Sequence, residues 1–136
     1  MGLIAMGANL EIISATYEGS SEDKGRNLLA ALAYDATWTE AEGFPYAGTY
    51  VGPDEIAAGV SHRLGTEWVG YCADVHNYME DGDRVAAFGV YSGTYKATGK
   101  SMTASFAHLY QVRSGKIASM VQYVDSNVVM KALALD

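Results

Sequence analysis

The sequence contains 136 residues, 49% of them apolar, and carries a formal net charge of −7 at pH 7. This length and this apolar content favour a single domain, residues 1–136, built around one core. The acidic balance argues against nucleic acid and anionic membrane surfaces as partners, because binding to a phosphate backbone depends on an excess of Lys and Arg.

Cysteine content and hydropathy narrow the class of protein further. Cys72 is the single cysteine, which excludes an internal disulfide and a metal site made of paired thiolates, and we interpret it as a small buried hydrophobic residue. The N-terminus lacks the features of a secretory signal, and the longest apolar run, Leu28–Tyr34, is far shorter than the roughly 20 residues that span a bilayer. We therefore expect a soluble, cytoplasmic protein.

Three helices are predicted in the first half of the chain. The first runs to about Tyr17, because apolar residues recur there at steps of three and four. These residues are Leu3, Met6, Leu10, Ile13 and Tyr17. The second helix is capped by Asp23 and ends near Tyr34. The third begins at Pro53, since proline suits a first helical position, and stops at Gly65.

From Trp68 onward the apolar period changes to two, which is typical of strands. Short turns that contain glycine join the segments and imply an antiparallel meander. The four predicted strands are Val69–Glu80, Arg84–Lys96, Ser101–Arg113 and Lys116–Asp125. Gly89 and Gly93 indicate bends or bulges inside the second strand. A short helix is expected after Asp125.

These elements predict an α+β fold in which a curved antiparallel sheet is closed by the three helices that precede it. Long strands twist and curl, so one face of the sheet becomes concave. Helices packed across that face bury their apolar sides and leave a pocket between the two layers. The expected shape is a cone with a hollow interior.

Glu40 is the first candidate for chemistry. In the extended stretch that ends at this residue, Trp38 and Glu40 lie two positions apart and share one face. If Trp38 points inward, the carboxylate lies beside an indole in a water-poor pocket, where burial raises its pKa toward the range useful for proton transfer. A solvent-facing Glu at a strand end is the alternative.

Other polar residues are candidates with structural alternatives. Asp125 either caps the last helix, faces the pocket mouth, or does both. His108, in the middle of a strand, acts in proton transfer or is a core or interface histidine. Tyr17 lies on the apolar face of the first helix, so its buried hydroxyl needs a partner in the pocket. No arrangement of His residues predicts a metal site.

The pattern of the last predicted strand does not decide which of its two faces points inward. Gln122 and Val124 share one face, whereas Tyr123 and Asp125 share the other. The carboxamide of Gln122 and the carboxylate of Asp125 therefore cannot both point inward without a bulge or the end of the strand. A related choice, whether His108 or Ala107 faces the pocket, also stays open.

The order of elements and several motifs resemble the nuclear transport factor 2-like superfamily, in its SnoaL-like and ketosteroid-isomerase-like branch. The motifs are Tyr17 with the acidic turn after it, Asp35–Trp38, Gly48–Ile56, Gly99-Lys100, Gly115–Ile117 and Gln122–Asp125. The resemblance covers about residues 10–133 and implies the cone-like fold, a cystatin-like α+β roll.

The resemblance also implies roles for particular residues. Glu40 stands where ketosteroid isomerases have their general base, and Tyr17 matches, within one residue, a tyrosine that donates to the oxyanion. The second donor of that family is missing, since Ala107 precedes His108 here. Losing such a donor typically costs about a hundred- to a thousandfold in rate, so steroid isomerisation requires His108 or Gln122 as a substitute.

Two related activities of the superfamily depend on the same positions. Limonene epoxide hydrolases place an Asp where this chain has Gln122, and glutamine cannot take a proton from water, so epoxide hydrolysis is disfavoured. SnoaL-like cyclases use a pocket carboxylate in aldol ring closure, a role open to Glu40 or Asp125.

We therefore expect an enzyme of the isomerase or cyclase kind that needs no cofactor and acts on a small apolar substrate. Its predicted catalytic residues are Glu40, Tyr17, His108 and Asp125, and its predicted substrate contacts are Trp38, Gln122, Met120 and Val124. A cavity filled by Trp38 and Met120 would instead favour the alternative, a non-catalytic ligand-binding or dimerisation module. Apolar residues on the outer face of the meander predict a homodimer.

Overall fold

The computed structural model describes residues 7–135, so the predicted apolar positions Leu3 and Met6 lie outside the described residues. The helices are α1 (Ala8–Ala15), α2 (Ser21–Ala31), α3 (Gly52–Ile56), α4 (His62–Glu67) and α5 (Ser126–Leu133), with a π-helical turn, Ala57–Ser61, between α3 and α4. The strands are β1 (Leu32–Glu40), β2 (Gly48–Val51), β3 (Trp68–Asp81), β4 (Arg84–Tyr95), β5 (Ser101–Arg113) and β6 (Lys116–Val124). The predicted α+β class is confirmed.

Helix α2 starts earlier and ends earlier than predicted. Ser20 is its N-cap, and Asp23 completes a capping box, because the Ser20 side chain accepts from the Asp23 amide at 3.1 Å while the Asp23 carboxylate accepts from the Ser20 amide at 3.0 Å. The helix ends at Ala31, three residues before Tyr34, because β1 already begins at Leu32.

The third predicted helix begins at Gly52, with Pro53 in its first turn as expected, but it does not stop at Gly65. It passes through the π-helical turn and continues as α4 to Glu67. Gly65 is exposed and has open space around it, so nothing forces the chain to turn there. The π-helical turn adds a residue to one turn and re-aims the side chains that follow, a feature common at functional sites.

The six strands form one sheet in the order β2-β1-β6-β5-β4-β3. Strands β3 to β6 form the predicted antiparallel meander, and each of their ends lies within one residue of the predicted position. The pairing of β1 with β6 is parallel, whereas β1 and β2 form an antiparallel hairpin. This parallel pair places the end of β1, with Glu40, beside β6 in the middle of the sheet.

The bends predicted at Gly89 and Gly93 involve extra residues on the partner strand β3. The register shifts between Val75 and Asn77, opposite Gly89, and again between Val69 and Cys72, opposite Gly93. A Cβ at position 89 would lie 2.1 Å from the backbone oxygen of Asp74. Glycine therefore lets the two backbones approach, and the bulges curl the sheet.

The apolar interior forms two clusters on the concave face. One joins α1, β1, the helical segment 52–67 and β4 to β6, and the other packs α5 against the ends of β4 and β5. Among residues 7–135, no helix is long and apolar enough to cross a membrane.

Candidate functional site

A cavity of about 250 Å³ lies between the helices and the concave face of the sheet. Aromatic rings make most of its inner wall, and its helical side is formed by the two residues that follow α1, by α2 and by the helical segment 52–67. The inner wall includes Trp38, Phe44, Tyr71, Tyr91, Tyr110, Glu40, His108 and Gln122, and the helical side includes Thr16, Tyr17, Lys24, Leu28, Val60 and Leu64. The site is therefore a largely apolar chamber with a few polar groups.

Glu40 projects into this chamber from the end of β1. Strand alternation turns Ala36, Trp38 and Glu40 inward, and the Glu40 side chain is only 5% exposed. The Trp38 indole Nε1 donates to Oε1 of Glu40 at 3.1 Å, whereas Oε2 has no partner among the described residues. Burial raises the pKa of the Glu40 carboxyl from its usual 4.5 to about 7, although the Trp38 hydrogen bond opposes the rise.

His108 lies at the centre of a hydrogen-bonded chain of buried side chains. Its Nδ1 bonds the hydroxyl of Tyr17 at 2.5 Å, and its Nε2 bonds the hydroxyl of Tyr91. The Tyr17 hydroxyl also bonds that of Tyr110 at 2.5 Å. Burial lowers the pKa of His108 to about 3, so the imidazole is neutral and uses one nitrogen as donor and the other as acceptor.

Gln122 anchors the other end of this chain. Its Nε2 donates to the Tyr91 hydroxyl at 2.9 Å, and its Oε1 accepts from the Ala41 amide, next to Glu40, at 3.0 Å. The cross-strand register places Ala87, His108 and Gln122 in one row on the concave face. His108 and Gln122 therefore face inward, while Ala107 and Tyr123 belong to the neighbouring row on the outer face.

The structure brings five of the eight predicted site residues together: Glu40, Tyr17, His108, Trp38 and Gln122 all line the cavity. Asp125, Met120 and Val124 are not part of its wall. Asp125 is exposed and caps α5, where its Oδ1 accepts from the Val128 amide at 3.4 Å, so the capping alternative accounts for it. Met120 is buried in the core between Trp38 and Tyr110, and Val124 packs against the cluster beneath α5.

Tyr71 is a cavity residue that strand alternation alone does not predict. Its hydroxyl is buried and has no hydrogen-bond partner among the described residues. Strict alternation from the start of β3 gives no reason to single it out, because the bulge after Val69 changes which side chains face inward. The signal that was available is the pair of glycines around it, Gly70 just before it and Gly93 across the strand pair.

Metal ligation finds no support in the described part of the chain. No group of three or more His, Cys, Asp or Glu side chains lies close enough together there to hold a metal ion.

A curved sheet that holds a buried carboxyl group in an aromatic chamber beneath N-terminal helices defines the class: it is the nuclear transport factor 2-like architecture. Residues 13–120 match the SnoaL-like domain family, and the chain belongs to that family. No curated protein matches the chain significantly.

Solved structures of similar chains extend this assignment over nearly the full length. A nuclear transport factor 2-like protein of Burkholderia thailandensis is 38% identical, with a TM-score of 0.89 over 96% of this chain and 100% of that chain. A second, of unknown function, from Burkholderia pseudomallei, is 25% identical, with a TM-score of 0.85 over 96% and 100%. TerC, crystallised with polyporic acid, is 27% identical, with a TM-score of 0.81 over 93% and 98%.

Proposed function

We propose that this protein is a small-molecule enzyme of the isomerase or cyclase kind, in which Glu40 removes a proton from a carbon next to a carbonyl group. The observation that carries the proposal is the Glu40 carboxyl group, buried on the cavity wall with Oε2 unpartnered. A base works best when its pKa is near the working pH, and a pKa of about 7 meets that condition.

The proposed step is a simple proton transfer that needs no cofactor. Oε2 of Glu40 takes the proton, the electron pair of the broken C–H bond moves into the ring or chain as a C=C bond, and the carbonyl π electrons move onto oxygen. Where the substrate carries a C=C bond next to the deprotonated carbon, the product is a dienolate, and Glu40 returns the proton to its far carbon, which is isomerisation. Where the enolate carbon instead attacks a second carbonyl, a C–C bond forms and the oxygen of that carbonyl takes the proton from Glu40, which is ring closure. The apolar wall keeps water away from the ketone and from its enolate.

Tyr17, together with His108 and Gln122, supplies the polar side of the proposed site. The Tyr91 hydroxyl bonds both His108 and Gln122 and so joins the three into one hydrogen-bonded chain on the cavity wall, which fixes their positions before a ligand arrives. Burial raises the pKa of Tyr17 well above its usual value and keeps the phenol protonated as a donor. Met120 is buried and does not line the cavity, so Trp38 and Met120 do not fill it, which supports the enzyme over the non-catalytic alternative.

The test uses 2-tetralone, a small apolar ketone with exchangeable protons beside its carbonyl. Proton NMR in D₂O would follow the loss of those protons. We expect the wild type to accelerate the exchange above the buffer rate, and Glu40→Gln to lower the enzymatic rate by at least roughly a hundredfold, because the amide keeps the shape but removes the base.

Two outcomes would count against the enzyme. An unchanged rate in Glu40→Gln would show that this carboxylate is not the base. Binding of 2-tetralone by the wild type without any exchange would favour the alternative, a ligand-binding module on the same fold. The mostly apolar cavity wall supports a small apolar ligand, and TerC, a similar chain, was crystallised with polyporic acid.

We also propose that the chain forms a homodimer through the outer face of the meander. Met79 and Tyr123 are 63% and 58% exposed on that face, and Phe88 lies in the same cross-strand row as Tyr123. Exposed apolar surface of this kind commonly marks an interface. Light scattering at micromolar concentration should give twice the 14.5 kDa chain mass. The cytoplasmic location stays a prediction from the sequence.

A change at this face tests the dimer. Tyr123→Lys should shift the mass toward the monomer, while Leu29→Lys, at an exposed position on α2, should leave it unchanged. A wild-type monomer at micromolar concentration would contradict the proposal.

A further inference from the structure

Two buried side-chain polar atoms have no hydrogen-bond partner in residues 7–135, and both belong to residues of the cavity wall. One is Oε2 of Glu40, an acceptor when ionised, and the other is the hydroxyl of Tyr71, a donor. Burying a polar group without a partner costs free energy, which a ligand recovers when it supplies the missing bond. The cavity wall therefore presents one unmet acceptor and one unmet donor.

Local backbone structure turns Tyr71 toward the cavity. Gly70 has a φ of 64°, in the left-handed region, and the register of β3 against β4 shifts between Val69 and Cys72. Across the pair stands Gly93, where a Cβ would lie 3.2 Å from the Cα of Tyr71. The bulge and the absence of a side chain at position 93 together make room for the ring.

Neighbouring rings hold Tyr71 in place. Its ring centroid lies 5.7 Å from that of Trp68 and 5.4 Å from that of Tyr91, so aromatic packing limits its motion on both sides. Burial, and secondarily the charge of Glu40, raise the pKa of Tyr71 above its usual value, so the phenol keeps its proton when the carboxyl ionises.

We propose that the Tyr71 hydroxyl donates to the carbonyl oxygen of the substrate while Glu40 takes the proton from the neighbouring carbon. This inference rests on the proposed function of Glu40 and names the group that stabilises the enolate oxygen. The phenol proton stays on Tyr71 throughout, and the negative charge that leaves the C–H bond comes to rest on the oxygen it contacts. The substrate class is a small, mostly apolar ketone with an enolisable position next to its carbonyl.

The hydrogen bond can be measured apart from the proton transfer. Tetralin has the ring skeleton of 2-tetralone without the oxygen, so the ratio of their affinities, from NMR titration, reports the bond to the carbonyl. We expect Tyr71→Phe to lower that ratio roughly three- to tenfold and to slow the α-proton exchange by roughly ten- to a hundredfold. Tyr95→Phe is the matched control, since Tyr95 also packs on Trp68 but does not line the cavity.

The carbonyl stretching frequency of bound 2-tetralone gives a second measurement. It should be lower in the wild type than in Tyr71→Phe, because a hydrogen bond weakens the C=O bond. The variant should fold, since the hydroxyl that it removes bonds to no described residue.

Each outcome separates this inference from the proposed role of Glu40. If Tyr71→Phe leaves both the affinity ratio and the stretching frequency unchanged, Tyr71 is not the donor, whatever Glu40→Gln does. If Tyr17→Phe removes the preference for the ketone instead, the donor belongs to the His108 chain and the inference is wrong. If Glu40→Gln retains exchange while Tyr71→Phe loses the preference, only the proposed base fails.

Discussion

Glu40 and His108 respond in opposite directions to the same cause. Burial favours the neutral form of each group, so it raises the pKa of the carboxyl to about 7 and lowers that of the imidazole to about 3. Near neutral pH, Glu40 is therefore close to half ionised, whereas His108 carries no charge. One group is suited to exchange protons with a ligand, and the other to hold hydrogen bonds.

The side chains around His108 hold one more proton than their mutual bonds use. Tyr17, Tyr91 and Tyr110 contribute three hydroxyl protons and the neutral imidazole contributes one, but only three hydrogen bonds join the four groups. One hydroxyl proton is left over, and the tautomer of His108 helps to decide which tyrosine carries it. Thr16 also bonds the Tyr110 hydroxyl, so the surplus proton has an acceptor within the protein when Tyr110 carries it.

The pH dependence of proton exchange follows from the Glu40 pKa. Because the base must be ionised, the exchange of 2-tetralone should rise with pH, pass its half-maximum near pH 7, and level off above it. His108 adds no second inflection above pH 5, since its pKa of about 3 keeps it neutral there. Rates from pH 5 to 9, corrected for buffer exchange, would check this. A half-maximum near pH 4.5 would place the carboxyl in a water-like environment.

Substitution of Gly89 in β4 tests whether the bulge of β3 opposite it requires a residue without a side chain. Gly89→Ala should lower the free energy of unfolding by roughly 1–3 kcal/mol, because the new methyl group meets the backbone oxygen of Asp74, which cannot rotate away. Urea unfolding would measure the change. Gly65→Ala in α4 is the matched control and should stabilise the protein by roughly 0.4–1 kcal/mol, since open space surrounds that position. If Gly89→Ala changed the free energy of unfolding by the same amount as Gly65→Ala, β3 would have to make room for the methyl group at no cost.

Strands β3 to β6 were predictable because the sequence pattern that marks them is local. Alternation and glycine turns set their ends, and the same alternation placed Trp38 and Glu40 on one face of β1. The end of α2 was not predictable in this way, because Leu32 continues an apolar run while its backbone already pairs with β6. The parallel pairing of β1 with β6 joins residues about 80 positions apart and leaves no local pattern.

The candidate site was predictable where it depends on the alternation of side chains between the two faces of a strand. The alternation of side chains along a strand placed Glu40 on the same face as Trp38. For β6 the same alternation left two orientations possible, and in the folded chain Gln122 points inward. Alternation did not identify Tyr71, because a bulge in β3 opposite Gly93 changes which side chains of β3 face inward. Asp125 allowed two roles in the sequence, of which the pattern favoured the helix cap, and the structure places it as the N-cap of α5.

Burying Glu40 and His108 together also shapes the stability of the folded chain. The folded pKa of Glu40, about 7, lies above the usual 4.5, so between these values the folded state binds more protons than the unfolded state and loses stability as pH rises. The folded pKa of His108, about 3, lies below the usual 6.5, so there the unfolded state binds more protons and stability increases with pH. Between pH 4.5 and 6.5 the two contributions oppose one another.

Replacing Glu40 should expose this balance. Each contribution has a slope of up to about 1.4 kcal/mol per pH unit, so in the wild type the two nearly cancel, and Glu40→Gln leaves only that of His108. Urea unfolding of both proteins at pH 4.5, 5.5 and 6.5 should show the variant gaining about 2 kcal/mol relative to the wild type across this range. All other titrating groups are common to both proteins, so the difference isolates Glu40. A difference that does not change with pH would mean that the carboxyl group has the same pKa in the folded and unfolded chains, and would remove the basis for its role as a base.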